Sequence, residues 1–193
     1  MEAIYEAAIE LLTEGGWEAV TVGEIERRSG VSRGTFYLRF PTRDALVDYV
    51  GERMMAELLE HQAMIFTPLM AGGEISVEHA AALAVRGMVD VFEKTGRVMA
   101  RTVRADPPPR DMVAVADLDR DVATVLRRGV GDDPQMRGAI EFSIELCFAA
   151  LVARHRPVRT FQDHRALTRE EFVAHLSDSV GAYLTEQVRR LRD

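Results

Sequence analysis

Apolar residues recur along most of the chain at the three- and four-residue spacing of a helix with one buried face. Near the N-terminus this spacing predicts a helix over residues 2–14, which Gly15 and Gly16 end. Its apolar stripe consists of Ile4, Ala7, Ala8 and Leu11. No stretch shows sustained alternation of apolar and polar residues bounded by turns, so no strand is predicted. The pattern therefore predicts an all-α fold.

The same spacing, together with capping residues and breakers, divides the chain into about nine helices. Glycine and proline mark the breaks, among them a loop over 67–76, a triple proline at 107–109 and a loop over 157–167. The predicted helices cover about residues 2–14, 21–29, 32–40, 43–66, 77–94, 97–105, 110–128, 135–156 and 168–190.

Two short helices near the N-terminus carry clear capping signals. Thr21 and Glu24 have the spacing of a capping box, in which each side chain satisfies a free backbone N–H group of the first turn. Ser32 is a good N-cap for the next helix. Only Ser29, Gly30 and Val31 separate the two helices. This is the helix-turn-helix arrangement, whose second helix enters the major groove of DNA.

The second of these helices, residues 32–40, has an apolar and a polar face. At 100° per residue, Phe36 and Phe40 point together towards a small core. The opposite face and its edges carry Arg33, Gly34, Thr35, Tyr37, Leu38 and Arg39. Hydroxyl, aromatic, apolar and guanidinium groups can hydrogen-bond bases or phosphates, contact a thymine methyl group, or donate two bonds to guanine.

The stretch from Thr21 to Phe40, read as TVGEIERRSGVSRGTFYLRF, resembles the DNA-binding signature of TetR-family transcription regulators. The letters PTRDAL continue the resemblance, which covers about Ile4 to Val50. With the capping and glycine positions, it predicts DNA contacts at Thr21, Ser32, Arg33, Gly34, Thr35, Tyr37, Leu38, Arg39 and Arg43. The resemblance implies a helix-turn-helix domain over residues 1–48 and a helical ligand-binding and dimerisation domain over 49–193.

This sequence departs from the family pattern at several positions. Arg39 stands where the family most often has His, Arg43 where Lys is common, and Glu26 where a small residue is usual. The basic arm that many members carry before the first helix is missing here. Either binding is weaker, or native residues precede the numbered chain.

Charge is distributed unevenly along the N-terminal part of the chain. The whole chain has a net charge of −7, which at first argues against a nucleic-acid partner. Residues 2–26 contain seven Glu and no basic residue, whereas residues 27–43 contain five Arg and no acid. The second segment predicts a local basic patch that faces DNA phosphates.

Composition excludes several other classes of protein. Hydrophobic residues make up 47% and charged residues 28% of the chain, which is typical of a soluble globular protein. No apolar run approaches the roughly 20 residues of a membrane span, and no secretory signal is seen. A single cysteine, Cys147, fits a reducing cytosol and is expected to be buried filler rather than a redox sensor. We therefore expect a cytoplasmic protein.

Methionine and phenylalanine are prominent in the C-terminal part, and methionine is common on adaptable binding surfaces. The family resemblance implies an effector cavity between the helices at 43–66 and 135–156. The residues predicted to contact the effector are Met55, Leu58, Met88, Phe92, Met99, Phe142, Glu145 and Phe148. The alternative is that they fill a core, and Glu145 can equally pair with an arginine across a dimer. The expected effector is hydrophobic: a drug, a fatty-acyl chain, a steroid or an aromatic metabolite.

The helix at 135–156 is apolar on most sides and must be covered on two of them. One apolar stripe contains Ile140, Ile144, Cys147 and Leu151, and another contains Phe142, Leu146, Ala149 and Ala153. With the last helix it predicts a homodimer through a four-helix bundle, and the family resemblance points the same way. The predicted dimerisation residues are Ile140, Ile144, Leu151, Phe172, Leu176, Val180 and Leu184. A two-fold dimer implies a palindromic double-stranded DNA operator.

These features together predict a ligand-responsive transcriptional repressor. The alternative is a DNA-binding protein of the same fold without a small-molecule inducer, acting as an activator or in the nucleoid. An enzyme with an appended helix-turn-helix is not favoured, because no nucleophile–base pair, phosphate loop or catalytic acid pair stands out. The five histidines lack metal-ligand spacing, and neither a metal nor a cofactor is predicted.

Overall fold

The computed structural model describes residues 1–102, 113–154 and 167–193, with the side chains of all but residues 94–102 and 113–116. These ranges contain eight α-helices, two short 3₁₀ turns and no strand. The helices are α1 Glu2–Gly15, α2 Val22–Ser29, α3 Arg33–Arg39, α4 Arg43–Met70, α5 Val77–Thr102, α6 Val113–Val130, α7 Arg137–Arg154 and α8 Arg169–Arg192. The 3₁₀ turns are Gly16–Ala19 and Pro134–Met136. The all-α prediction is confirmed.

Two predicted helix ends are wrong. The predicted break at residues 95 and 96 does not exist, because α5 runs from Val77 to Thr102. A single glycine inside a helix costs only about 1 kcal/mol, which packing of the long helix offsets. Helix α4 continues to Met70 with Pro68 inside it. Arg128 donates to the carbonyl oxygens of Leu69 at 2.5 Å and Gly73 at 3.0 Å, so a tertiary contact satisfies acceptors at this end. The predicted loops at 107–109 and 157–166 lie outside the described residues.

The chain divides into two compact units, and the first contains residues 1–60. Its core forms where the apolar faces of α1, α2, α3 and the start of α4 meet. The largest fully buried side chains there are Ile4, Leu12, Val20, Ile25, Phe36 and Leu46. The capping predictions hold in part: the Thr21 hydroxyl accepts from the Glu24 N–H, but the Glu24 carboxylate accepts from Arg27 instead of closing the box.

The second unit contains residues 61–94 and 113–193. Helix α5 is its central helix, buried along most of its length from Ala80 to Phe92. At Gly87 the helix lies so close to Phe66 of α4 that a Cβ atom would be 2.7 Å from the ring. Arg169 at the start of α8 forms ion pairs with Asp90 and Glu93 of α5. Thr168 and Glu171 form the complete capping box expected for this helix.

Candidate nucleic-acid interface

Helix α3 is held by its apolar face. Phe36 is fully buried and Phe40 is 4% exposed, and their ring centroids are 5.6 Å apart. The Ser32 hydroxyl caps the helix by accepting from the Thr35 N–H at 3.3 Å. Gly30, at the turn before α3, has a φ of 68° in the left-handed region, which favours glycine. These local features fix the orientation of the polar face.

The opposite face of α3 is open to solvent. Leu38 is 87% exposed and Tyr37 46%, which are high values for large side chains with apolar surface. All nine residues predicted to contact DNA are exposed: Thr21, Ser32, Arg33, Gly34, Thr35, Tyr37, Leu38, Arg39 and Arg43. Access of this kind is required for groove recognition. Which of them contact a base or a phosphate stays a prediction.

The basic patch expected over residues 27–43 is largely compensated by acids from α1 and α2. Arg27 lies 2.6 Å from the Glu24 carboxylate, and Arg28 lies 2.5 Å from that of Glu14. Hydrogen bonds from these two guanidinium groups hold the pKa of Glu24 and the pKa of Glu14 below their usual range. The acids therefore remain charged at neutral pH and reduce the positive potential that the sequence suggested.

Arg43 has a structural role that the sequence did not reveal. Its Nε donates to the Val20 carbonyl oxygen at 3.0 Å, and its Nη2 donates to that of Trp17 at 2.5 Å. The side chain therefore fixes the segment between α1 and α2 to the start of α4. Only its remaining N–H groups are free to reach a phosphate, so the predicted contact at Arg43 is restricted.

Glu26, which departs from the family pattern, lies beside the DNA-facing side of the domain. Its carboxylate is 3.7 Å from Nε of Arg33, and its side chain is 24% exposed. The pair bridges α2 and α3 across the turn. Periodicity within one helix could not reveal it, because the turn interrupts the helical register. Glu26 therefore partly neutralises one of the predicted DNA contacts.

Arg39 differs from the other arginines of this segment. Within the part of the chain that the structure describes, its guanidinium group makes no hydrogen bond or ion pair. The side chain is exposed at the end of α3, next to Leu38. A guanidinium group without an internal partner can donate all of its N–H groups to DNA. Arg39 is therefore the strongest cationic candidate on the recognition surface.

The residues predicted to contact an effector are divided between the two units. Met55 and Leu58 belong to the first unit, and the side chain of Met99 lies outside the described residues. In the second unit Met88 is fully buried. Phe92 is also buried, and its ring lies edge-on to that of Phe148 with centroids 5.4 Å apart.

Two of the predicted effector contacts lie on the exposed face of α7, and their role in effector binding stays a prediction. Phe142 is 49% exposed and Glu145 is also exposed, because α7 turns its opposite face to the core. Neither side chain points into the interior of the second unit. Glu145 lies at the surface; burial of Asp119, together with the negative charge of Glu145, raises the pKa of Asp119.

The described residues of the second unit include two surface grooves. A groove of about 480 Å³ lies between α5 and α8 and includes Glu78, Asp178 and Arg189. Another, of about 400 Å³, lies between α6 and α7 and includes Asp119 and Arg127. Charged side chains are prominent in both, and neither is lined by a residue predicted to contact the effector.

The predicted dimerisation residues mostly lie in the core of the subunit. The buried ones, each at most 8% exposed, are Ile140, Ile144, Leu151, Leu176, Val180 and Leu184. Phe172 is half-buried, with the Arg154 guanidinium 4.7 Å from its ring centroid. Side chains covered within one subunit contribute little to a surface that joins two, although Ile140 and Ile144 also line the groove between α6 and α7. The role of these seven residues in dimerisation stays a prediction.

The second apolar stripe of α7 is the accessible one. Phe142 is 49% exposed and Leu146 36%, and Ala149 and Ala153 continue the stripe. The ring of Tyr183 on α8 lies 5.1 Å from that of Phe142, so the surface extends onto the last helix. Both stripes of α7 are apolar in sequence, and only the packing of α6 and α8 decides which one is covered.

Cys147 is buried, as expected, and desolvation raises the pKa of its thiol to about 12. A thiol in this state is a poor nucleophile, which agrees with a packing role.

None of the described helices has the length and hydropathy needed to cross a membrane.

Comparison with known proteins identifies the N-terminal region. Residues 4–50 match the model of bacterial regulatory proteins of the tetR family. The chain is also 34% identical over 59 residues to an uncharacterized HTH-type transcriptional regulator, YvdT, from Bacillus subtilis strain 168. That match covers 31% of this chain and 30% of the relative's length.

Two solved structures share the fold over nearly the whole chain. One is a transcriptional regulator of the TerR/AcrR family from Aquifex aeolicus VF5, with a TM-score of 0.61 and 17% identity, covering 96% of this chain and 97% of that one. The other is the transcriptional regulator FadR from Bacillus subtilis in complex with stearoyl-CoA, with a TM-score of 0.51 and 16% identity, covering 96% and 98%. Residues 4–50 are therefore similar to bacterial regulatory proteins of the tetR family, and the chain shares its fold with the two solved regulators.

Proposed function

We propose that the chain is a transcriptional repressor that binds a palindromic double-stranded DNA operator as a homodimer. The observation that carries the proposal is the exposed face of α3, which a buried apolar face fixes in place. This face carries Tyr37, Leu38 and Arg39, and Arg39 has no partner among the described residues. A helix with only a structural role does not require a leucine side chain that is 87% exposed. A thymine methyl group in the major groove is a suitable partner for such a side chain.

The accessible stripe of α7 supports dimerisation. Phe142 and Leu146 with Tyr183 of α8 form an apolar surface that a second copy would cover. A closed two-fold dimer places the same patch of each subunit in contact. Two recognition helices related in this way would read half-sites about 34 Å apart, one turn of DNA or somewhat more.

The proposed regulation is release of the operator when a largely apolar small molecule binds the second unit. The solved structure of FadR, which shares the fold, is a complex with stearoyl-CoA, and this supports an effector for this chain. Helix α4 begins at the predicted DNA contact Arg43 and contributes its last residues to the second unit. An effector with unequal affinity for two positions of α4 would change operator affinity, typically by about 5- to 150-fold.

A DNA-binding protein without an effector is the second candidate. It is favoured by the buried state of Met88 and Phe92, which are at most 2% exposed, and by the charged lining of both grooves. Packing of this kind is what a solid core would show.

Fluorescence anisotropy with a labelled duplex from the chain's own promoter region tests the proposal. We expect binding that weakens steeply between 50 and 200 mM salt, roughly in proportion to the number of phosphates contacted. A duplex of scrambled sequence is the control. Equal affinity for both duplexes contradicts the proposed repressor. Specific binding that no member of a hydrophobic compound library weakens favours the candidate without an effector.

A further inference from the structure

The interior of the second unit contains a polar pair among apolar side chains. Gln62 of α4 is 3% exposed, and its Nε2 donates to Oδ2 of Asp121 on α6 at 2.8 Å. One turn further along α4, Phe66 is fully buried, and Leu118 and Val122 beside Asp121 are at most 4% exposed. The amide oxygen Oε1 of Gln62 has no hydrogen-bond partner among the described residues. An acceptor in an apolar region is therefore left without a donor.

The orientation of this amide is fixed by its partner. Rotating the amide by 180° would place Oε1 against the Asp121 carboxylate, so that two acceptors would face each other. Leaving a buried acceptor unsatisfied destabilises the fold, whereas an apolar side chain of similar shape avoids that loss. Ser143, another buried polar residue, donates to the Ala139 carbonyl of its own helix and needs no external partner. The hydroxyl of Ser177 also has no partner among the described residues, but this residue lines the open groove between α5 and α8. The unsatisfied oxygen of Gln62 thus calls for a functional explanation.

We propose that Gln62 and Asp121 form the polar end of the effector site, and that the effector is an apolar molecule with an N–H or O–H donor. The donor would bond to Gln62 Oε1, and the neighbouring carboxylate favours a donor that carries positive charge. A carboxylate or phosphate group would meet two acceptors and a like charge there. This inference rests on the proposed ligand response, and it excludes an anionic group at this end of the site.

The position of Gln62 also links the site to α4. The residue lies two positions beyond Glu60, where the first unit ends, on the helix that begins at Arg43. Because Gln62 is 3% exposed, a ligand reaches its amide only when α4 and α6 separate locally. A bound ligand therefore displaces the helix that bears a predicted DNA contact. The ligand then has different affinities for two positions of α4, as regulation requires.

Matched eight-carbon probes test the site in the full chain. Binding of n-octylamine, 1-octanol and octanoate is followed by thermal shift and by titration calorimetry. We expect octylamine and octanol to bind and octanoate to bind at least about tenfold more weakly, as the loss of a charge-assisted hydrogen bond implies. Gln62→Met keeps the side-chain length and removes one of the two acceptors, so it should reduce this preference, while the Asp121 carboxylate still disfavours octanoate. Gln135→Met, at an exposed site, should leave the preference unchanged.

A second variant keeps the test decisive if Gln62→Met does not fold. Asp121→Asn removes the charge at a half-buried position and should reduce the preference for octylamine over octanol. The inference is overturned if octanoate binds as tightly as octylamine, if neither donor probe binds, or if either folded variant keeps the wild-type preferences. Operator binding, measured in parallel by anisotropy, distinguishes a failure of the proposed site at Gln62 from a failure of the proposed ligand response. Octylamine that binds through Gln62 without releasing DNA leaves the site intact and refutes the ligand response.

Discussion

Replacing Arg39 with alanine should weaken operator binding more than the same change at Arg33. Both residues are exposed at the two ends of α3. Arg39 has no partner in the described structure, whereas Arg33 lies 3.7 Å from the Glu26 carboxylate. Arg33 must therefore exchange an internal ion pair for its contact with DNA. Arg39 makes its contact without giving up another.

The expected magnitudes follow from this difference. A specific arginine contact to a base contributes about 1–3 kcal/mol, so Arg39→Ala should reduce affinity about 5- to 150-fold. An exposed ion pair contributes about 0.2–1 kcal/mol. Arg33 loses this amount when it leaves Glu26 for DNA, so its net contribution to the free energy of binding is smaller by the same amount. Glu26→Gln removes this loss and the nearby negative charge. We expect it to raise operator affinity by about 1.4- to 5-fold.

Anisotropy titrations at one fixed salt concentration measure these changes, with circular dichroism to verify that each variant folds. The double variant with both Glu26→Gln and Arg33→Ala completes a cycle, and the gain from Glu26→Gln should shrink when Arg33 is absent. The reasoning is refuted if Arg39→Ala costs less than Arg33→Ala, or if Glu26→Gln lowers affinity in a folded protein.

Three further outcomes are expected. Phe142→Glu should shift the protein from dimer to monomer in sedimentation velocity without lowering its helicity, and a dimer that persists refutes the α7 interface. Gly87→Ala should lower the thermal midpoint, at a cost of about 1–3 kcal/mol, because the new methyl group meets the Phe66 ring at 2.7 Å; an unchanged midpoint contradicts this packing. The Arg28 guanidinium lowers the pKa of Glu14, so this pair stabilises the fold above the unfolded pKa of glutamate and is lost as pH falls through the lowered value. Circular dichroism against pH should show acid unfolding of Arg28→Ala at a higher pH than wild type, and identical curves would exclude a contribution from the pair.

Local chemistry explains why α2 and α3 were predictable. Thr21 and Ser32 cap these helices by bonds to groups within the next three residues, and Phe36 and Phe40 share a face by helical geometry alone. Such features depend on neighbours in sequence. The polar face of α3 therefore follows from the amino-acid order without knowledge of the tertiary structure.

Features that depend on distant partners were not predictable. Arg43 binds carbonyl groups 23 and 26 residues away, so nothing in its own helix indicates that its donors are engaged. Helix α7 has two apolar stripes, and the sequence gives no reason to bury Ile144 rather than Phe142. The oxygen of Gln62 that lacks a partner among the described residues depends on packing against Asp121, which lies 59 residues further along the chain.

Selection from a pool of random DNA duplexes tests the central claim, sequence-specific binding by a symmetric dimer, most directly. The purified full chain is used to retain duplexes over several rounds at about 150 mM salt, and the enriched sequences are aligned. The account predicts a two-fold symmetric consensus whose half-site centres lie about 10–10.5 base pairs or somewhat more apart, with one position that loses its preference in Arg39→Ala. A pool with no enriched sequence, or a consensus that Arg39→Ala leaves unaltered at every position, would contradict it.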